Sequence, residues 1–125
     1  MTDKKIPTDI TLHARSHVLE LKFNDGSHFE LPAEYLRVYS PSAEVQGHGP
    51  GQEVLQINKQ DVNIEKIEQV GNYAVQLFFD DKHDTGIYSW EILYELGRDY
   101  DEKWKSYLQR LKDAGHKRPD PRHLQ

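Results

Sequence analysis

The 125-residue chain contains no cysteine. Disulfides, a thiolate nucleophile, a thiolate zinc site and cysteine-ligated iron–sulfur clusters are therefore excluded. No stretch approaches the roughly 18 consecutive apolar residues that a membrane-spanning helix needs. The opening MTDKKIPTDI carries two lysines with no apolar run behind them, so no signal peptide is expected and the cytoplasm is the expected location. Excess positive charge is also lacking: the formal net charge is −5. The one basic cluster, Lys117, Arg118 and Arg122 in GHKRPDPRHLQ, reads as a solvated tail, and neither nucleic acid nor membrane is an expected partner. Repeats and low-complexity segments are missing too. What is present is 36% hydrophobic, 30% charged and 10% aromatic residues, enough for one core at this length. The expected organisation is a flexible N-terminus over 1–9, one domain over 10–114, and a flexible tail over 115–125.

Periodicity predicts the elements. Leu19, Leu21 and Phe23 alternate with Glu20 and Lys22, the pattern of a half-buried strand. NDGS (24–27) supplies a tight turn and 28–31 resume the alternation; Ile10 and Leu12 mark a preceding strand reversed at ARSH, giving a three-stranded meander. PAEYLRVY (32–39) reads as a short helix with Pro32 near its first turn and Tyr35, Leu36 and Tyr39 facing the core. EVLQI (53–57) is a candidate short strand. Strands are expected at 64–70 and 73–79, joined through Gly71 and Asn72, with a short last strand at 86–88 after the turn DDKHDTG. Ser89 reads as an N-cap, WEILYEL as a helix and Gly97 as its C-terminal cap. Tyr100, Trp104, Leu108 and Leu111 form the apolar stripe of a last helix, with Trp104 as its core anchor. The fold class is α+β: a small antiparallel sheet, meander plus hairpin, packed against C-terminal helices.

The chemistry-bearing candidates cluster in SPSAEVQGHG (40–49) and DDKHDTG (80–86). Ser40 or Ser42 could serve as nucleophile with His48 or His83 as base, but no G-x-S-x-G elbow is present, and Ser40 is expected to cap or turn the end of the short helix. His48 and His83, with carboxylates near His83, are candidate metal ligands, against the simpler reading of a solvated turn. GHGPG (47–51) lacks the Lys-Ser/Thr of a phosphate loop and reads as a plain loop.

LRVYSPSAEVQGHG together with IEQVGNYAVQLFFDDKHDTGIYSWEILYELG resembles the gamma-butyrobetaine hydroxylase-like N-terminal domain family, over roughly Ile10 to Gly97. The resemblance implies a small α+β domain found alone in bacteria, ahead of carnitine-pathway dioxygenases, and fused to iron–sulfur carrier ATPases. In the dioxygenases it implies a structural zinc held by three cysteines and a histidine. Those cysteine positions fall here on Ser40, Ser42 and Val45, and the histidine at or near His83. Neutral hydroxyls are poor zinc ligands and valine is none, so no zinc of that type, and no cofactor, is expected. No His-x-Asp pair is present either, so the resemblance carries the accessory domain and not the hydroxylase chemistry.

Two functions follow as expectations. The first is a non-catalytic interaction module, expected as a monomer, that docks a protein partner, with an iron–sulfur cluster carrier as one candidate. Its expected surface comprises Arg37, Ser40, Ser42, Glu44, His48, His83 and Asp84. The simpler alternative is that these residues knit the two loops together, Arg37 pairing with a carboxylate. The second function is a small metal-dependent or ligand-binding enzyme using His48 and His83, which would have to approach a common point to ligate one ion at about 2 Å each.

Overall fold

Alternating apolar residues build the first sheet. In the computed structural model, which describes residues 4–47 and 51–116, strands β1 (Pro7–His13), β2 (Val18–Phe23) and β3 (His28–Pro32) form an antiparallel meander in that order. The register sets Leu19 opposite Leu12 and Leu31, and Leu21 opposite Ile10 and Phe29, so one face is apolar throughout. On the polar face Glu20 lies opposite Glu30, a like-charge pairing. His13 and His28 bracket Glu20 at 2.8 and 2.6 Å, and these bonds hold its carboxyl below the usual range.

After β3 come α1 (Ala33–Val38) and a four-residue helix, α2 (Ala43–Gln46). A second meander follows: β4 (Ile64–Val70), β5 (Ala74–Phe79) and β6 (Gly86–Ser89). Helices α3 (Trp90–Arg98) and α4 (Tyr100–Asp113) close the fold. The fold is α+β as expected, antiparallel strands with C-terminal helices, the strands forming two three-stranded sheets. Val75, Leu77 and Phe79 of β5 join Leu19, Leu21 and Leu31 of the first meander in one core, which α1 and α3 cover. At about 2 kcal/mol per buried large side chain, this shared core dominates the stability.

Buried phenols tie the helices down. Tyr35 of α1 donates to the Leu96 carbonyl in the last turn of α3, and Tyr88 of β6 donates to the Leu36 carbonyl of α1. Both acceptors lie in last turns, where helical carbonyls lack partners of their own. Tyr39 donates to Lys103 of α4, and Tyr107 of α4 donates to the Gln56 carbonyl.

Several expectations are corrected. β1 begins at Pro7, inside the stretch expected to be flexible, because the Asn24 side chain accepts from the Ile6 amide and donates to the Lys4 carbonyl. The segment 53–57 is not a strand; Val54 donates to Val45 of α2 and Gln56 accepts from Tyr107, so its backbone bonds go to helices. On α4 the buried residues are Tyr107 and Leu111, with Trp104 half-buried, whereas Leu108 is exposed. The inward row runs 100, 104, 107, 111; position 108 lies one step round the helix from it. The tail from 117 onward lies outside the described residues, as does His48.

Gly97 does not cap α3 but lies within it, and Asp99 takes the C-cap. Its role is close approach. A Cβ there would stand 2.4 Å from the Phe29 ring of β3. Alanine should gain up to about 1 kcal/mol in helix propensity, yet overpacking costs about 1–3 kcal/mol. Gly97→Ala is therefore expected to lower stability by about 1 kcal/mol in urea unfolding, and an unchanged or raised midpoint would show that the ring yields freely.

Candidate functional site

The two loops singled out in the sequence meet. Tyr39 ends α1, and the chain turns so that Ser40 is fully buried beneath β6. Ser40 Oγ lies 2.9 Å from His83 Nε2, and His83 Nδ1 lies 3.0 Å from Glu44 Oε2. The Glu44 carboxylate can only accept, so Nδ1 carries the proton, Nε2 accepts, and the Ser40 hydroxyl donates. Ser42 Oγ bonds Thr85 Oγ1 at 2.6 Å and also accepts from the Glu44 amide, capping α2. Ser42 is thus the N-cap of α2, while the Ser40 amide donates to the Arg37 carbonyl at 3.4 Å and turns the chain at the end of α1. Gln46 donates to the Ser40 carbonyl at 2.8 Å, closing the loop onto itself.

Beside this knot, Arg37 donates to Asp81 Oδ2 at 2.8 Å and Lys59 donates to the same oxygen at 2.7 Å. Partial burial alone would raise the Asp81 pKa, but the bonds from Lys59 and Arg37 outweigh it and leave the carboxyl below its usual range. Burial pushes the His83 pKa down and the Arg37 charge adds to this; Glu44 and Asp81 pull the other way without restoring the ordinary value. His83 is therefore a neutral imidazole at neutral pH.

Serine, imidazole and carboxylate in series form the connectivity of a nucleophile, its base and an orienting acid. The chemistry needs more than connectivity. Ser40 is fully buried, and Gly86 lies so close that a Cβ there would stand 2.6 Å from Ser40 Oγ. A substrate carbonyl has no approach to that oxygen in this arrangement. Both nitrogens of His83 are also engaged, so ligating a metal would require displacing Ser40 or Glu44.

Of the expected surface residues, Arg37, Ser40, Ser42 and His83 are buried, and Glu44 and Asp84 are exposed. Arg37 pairs with a carboxylate, as the knitting alternative required. The feature that motif reading missed is on the other side of α2. A groove of about 780 Å³ runs between α2, the 53–54 segment and the α3–α4 pair. Buried Val38, Val45 and Leu96 lie at its floor, and its accessible apolar surface comes from half-buried Ile92 and from Val54, half exposed at its edge.

The family described as gamma-butyrobetaine hydroxylase-like, N-terminal, matches residues 10–94, and the chain belongs to it. Two protein structures determined by NMR in solution are similar over nearly the whole chain. One is 50% identical with a TM-score of 0.79, covering 94% of this chain and 90% of that one. The other is 48% identical with a TM-score of 0.80, covering 93% and 92%. A crystal structure of a protein of unknown function from Acidithiobacillus ferrooxidans is 36% identical with a TM-score of 0.62, covering 73% of this chain and 91% of that one. No curated protein matches the chain. No helix among the described residues is long and apolar enough to cross a membrane.

The zinc that the resemblance implies for relatives does not fit this chain. Its positions carry two hydroxyls, a valine and one imidazole, and Ser40 and His83 stand at hydrogen-bond distance from each other. No group of three or more His, Asp or Glu among the described residues is arranged to hold an ion.

Two outcomes follow. Because the folded pKa of His83 lies below the ordinary 6.5, the unfolded chain takes up its proton first. The contribution of neutral His83 is present above that value and is lost as pH falls through and below it. Unfolding followed from about pH 7.5 to 5 should show stability falling with acid, and His83→Gln should flatten that slope while lowering stability at the upper end; parallel curves would remove His83 as the cause. Gly86→Ala should force Ser40 off His83, costing about 1–3 kcal/mol, visible in NMR as loss of the slowly exchanging Ser40 hydroxyl or His83 Nδ1 proton.

Proposed function

We propose that this protein is a non-catalytic binding module that docks a protein partner along the groove bordered by α2. The observation that supports this most directly is the contrast between the two sides of α2. One side is a buried knot whose nucleophile–base pair is shut from solvent; the other is an open groove with apolar surface. The groove mixes apolar surface with charged side chains, as a site for a polypeptide segment can. The knot holds the groove in shape, because Glu44 and Ser42 fix α2 while Val45 and Gln46 of the same helix line the groove.

In this reading Arg37, Ser40, Ser42 and His83 act beneath the surface, as positioning residues. Glu44 and Asp84 are the exposed members of the cluster and could contact a partner directly. The fusions that the family resemblance implies make an iron–sulfur cluster carrier the first partner to try; without cysteine, this chain would serve as an adaptor and not as a cluster ligand.

Affinity capture from the native cell with purified protein as bait should recover one partner that Val54→Asp loses and that Glu65→Gln, on the outer face of β4, keeps. Val54 is 53% exposed, so the aspartate is tolerated by the fold. Recovery unaffected by Val54→Asp, or an esterase or amidase activity abolished by Ser40→Ala in a variant that still folds, would overturn the reading.

A further inference from the structure

The groove has a charge as well as a shape. Four carboxylates line it, those of Glu53, Glu95, Asp99 and Glu102, against two cations, Lys103 and Arg110. Asp99 is held by both guanidinium bonds of Arg98. No lysine or arginine among the described residues lies within ion-pair distance of Glu53, Glu95 or Glu102. The two cations are occupied differently: Lys103 Nζ sits 5.3 Å and the Arg110 guanidinium 5.6 Å from the centre of the Tyr39 ring. Both keep their charge there, and Arg98 also attracts Glu95, but the lining still carries four carboxylates against two cations.

We propose that the occupant of this groove is a basic amphipathic segment of a partner protein, an aliphatic anchor flanked by lysine or arginine. The proposal rests on the binding-module reading and names the partner's chemistry. Apolar side chains of the segment would cover Val54 and the accessible part of Ile92, as an amphipathic segment does in a groove. Its cations would face Glu53, Glu95 and Glu102, and pairing there gains strength as the apolar contact expels water. The net charge of −5 favours encounter with such a segment. An acidic segment would meet like charge along the same rim, which gives discrimination by repulsion.

The test uses the full chain and two synthetic helical peptides, one of Lys and Leu in amphipathic register and one with Glu in place of Lys, followed by fluorescence anisotropy and NMR. The Lys/Leu peptide is expected to bind and to shift amide signals of Val54, Ile92 and Glu95; the Glu/Leu peptide is expected not to bind. Combined Glu53→Gln, Glu95→Gln and Glu102→Gln should weaken binding by about tenfold or more, with the same far-UV spectrum. Glu65→Gln with Glu68→Gln, on exposed β4, should change it less than about twofold. Equal weakening by the two sets, binding of the Glu/Leu peptide, or signal shifts confined to the sheets would overturn the proposal. A native partner lost with Val54→Asp yet indifferent to the rim glutamines would sink the basic-segment proposal alone and leave the module standing; a partner indifferent to both would sink the module.

Discussion

The bond from Ser40 to His83 is the constraint around which this end of the molecule is arranged. It joins residues 43 apart in sequence, and closing a loop of that length costs about 3 kcal/mol by chain statistics. One neutral hydrogen bond returns about 1 kcal/mol net, so it cannot close the loop alone. The junction holds because neighbouring bonds share the same closure: Glu44 to His83, Ser42 to Thr85 and Arg37 to Asp81. Once the core has set α1 against β6, each further bond adds without a new loop to close. A buried imidazole left with either nitrogen unpaired would forfeit about 1–3 kcal/mol. The place of α2 is thus dictated by the need to bring a carboxylate to Nδ1 while a hydroxyl reaches Nε2.

The tyrosines do the corresponding work for the helices. Burial raises the phenols of Tyr35 and Tyr88 well above their ordinary pKa, so they remain protonated donors. Each gives its proton to a carbonyl near a helix end that would otherwise be unsatisfied. Tyr39 and Tyr107 link α1, α4 and the 54–57 segment in the same manner. The walls of the groove are consequently fixed by directional bonds as well as by packing. A preformed groove spends less of its binding energy on ordering itself.

Strand alternation made both meanders legible, since Leu19, Leu21, Val75, Leu77 and Phe79 report burial with a period of two. β4 was placed to its end residues although its burial does not alternate: Ile64, Ile67 and Val70 are its less exposed positions, with a register shift between Ile64 and Lys66. Local signals failed where a tertiary contact decided the matter. Gly97 has the look of a terminator, but only the Phe29 ring across from it explains why glycine stands inside a helix. EVLQI has strand composition, but its backbone partners are helices, which composition does not reveal. The loop pairing was legible only as a pair of candidates: the sequence placed Ser40, Glu44 and His83 under suspicion, and the alternative that Arg37 meets a carboxylate matches the Asp81 pair. The groove itself was not legible. It is made by five segments, the end of α1, α2, 53–54, α3 and α4, brought together only by the fold.

The chemistry of the loop explains why it can support the groove without an ion. A thiolate-held metal fixes its ligands through a few strong bonds, and removing the metal or protonating the thiolates releases them together. Here Ser40 and Ser42 remain neutral at any physiological pH, and their hydroxyls both donate and accept, so one side chain can meet two partners at once. Ser40 does so, giving its proton toward His83 and taking one from the Ser42 amide. The grip is distributed over several modest bonds, and of its titratable members, Glu44, Asp81 and His83, the imidazole is the one whose ordinary pKa lies nearest neutrality. Loss of any single bond should loosen α2 only partly, whereas protonating the imidazole removes the acceptor that Ser40 depends on. A support of that kind couples the shape of the groove wall to the protonation of one imidazole.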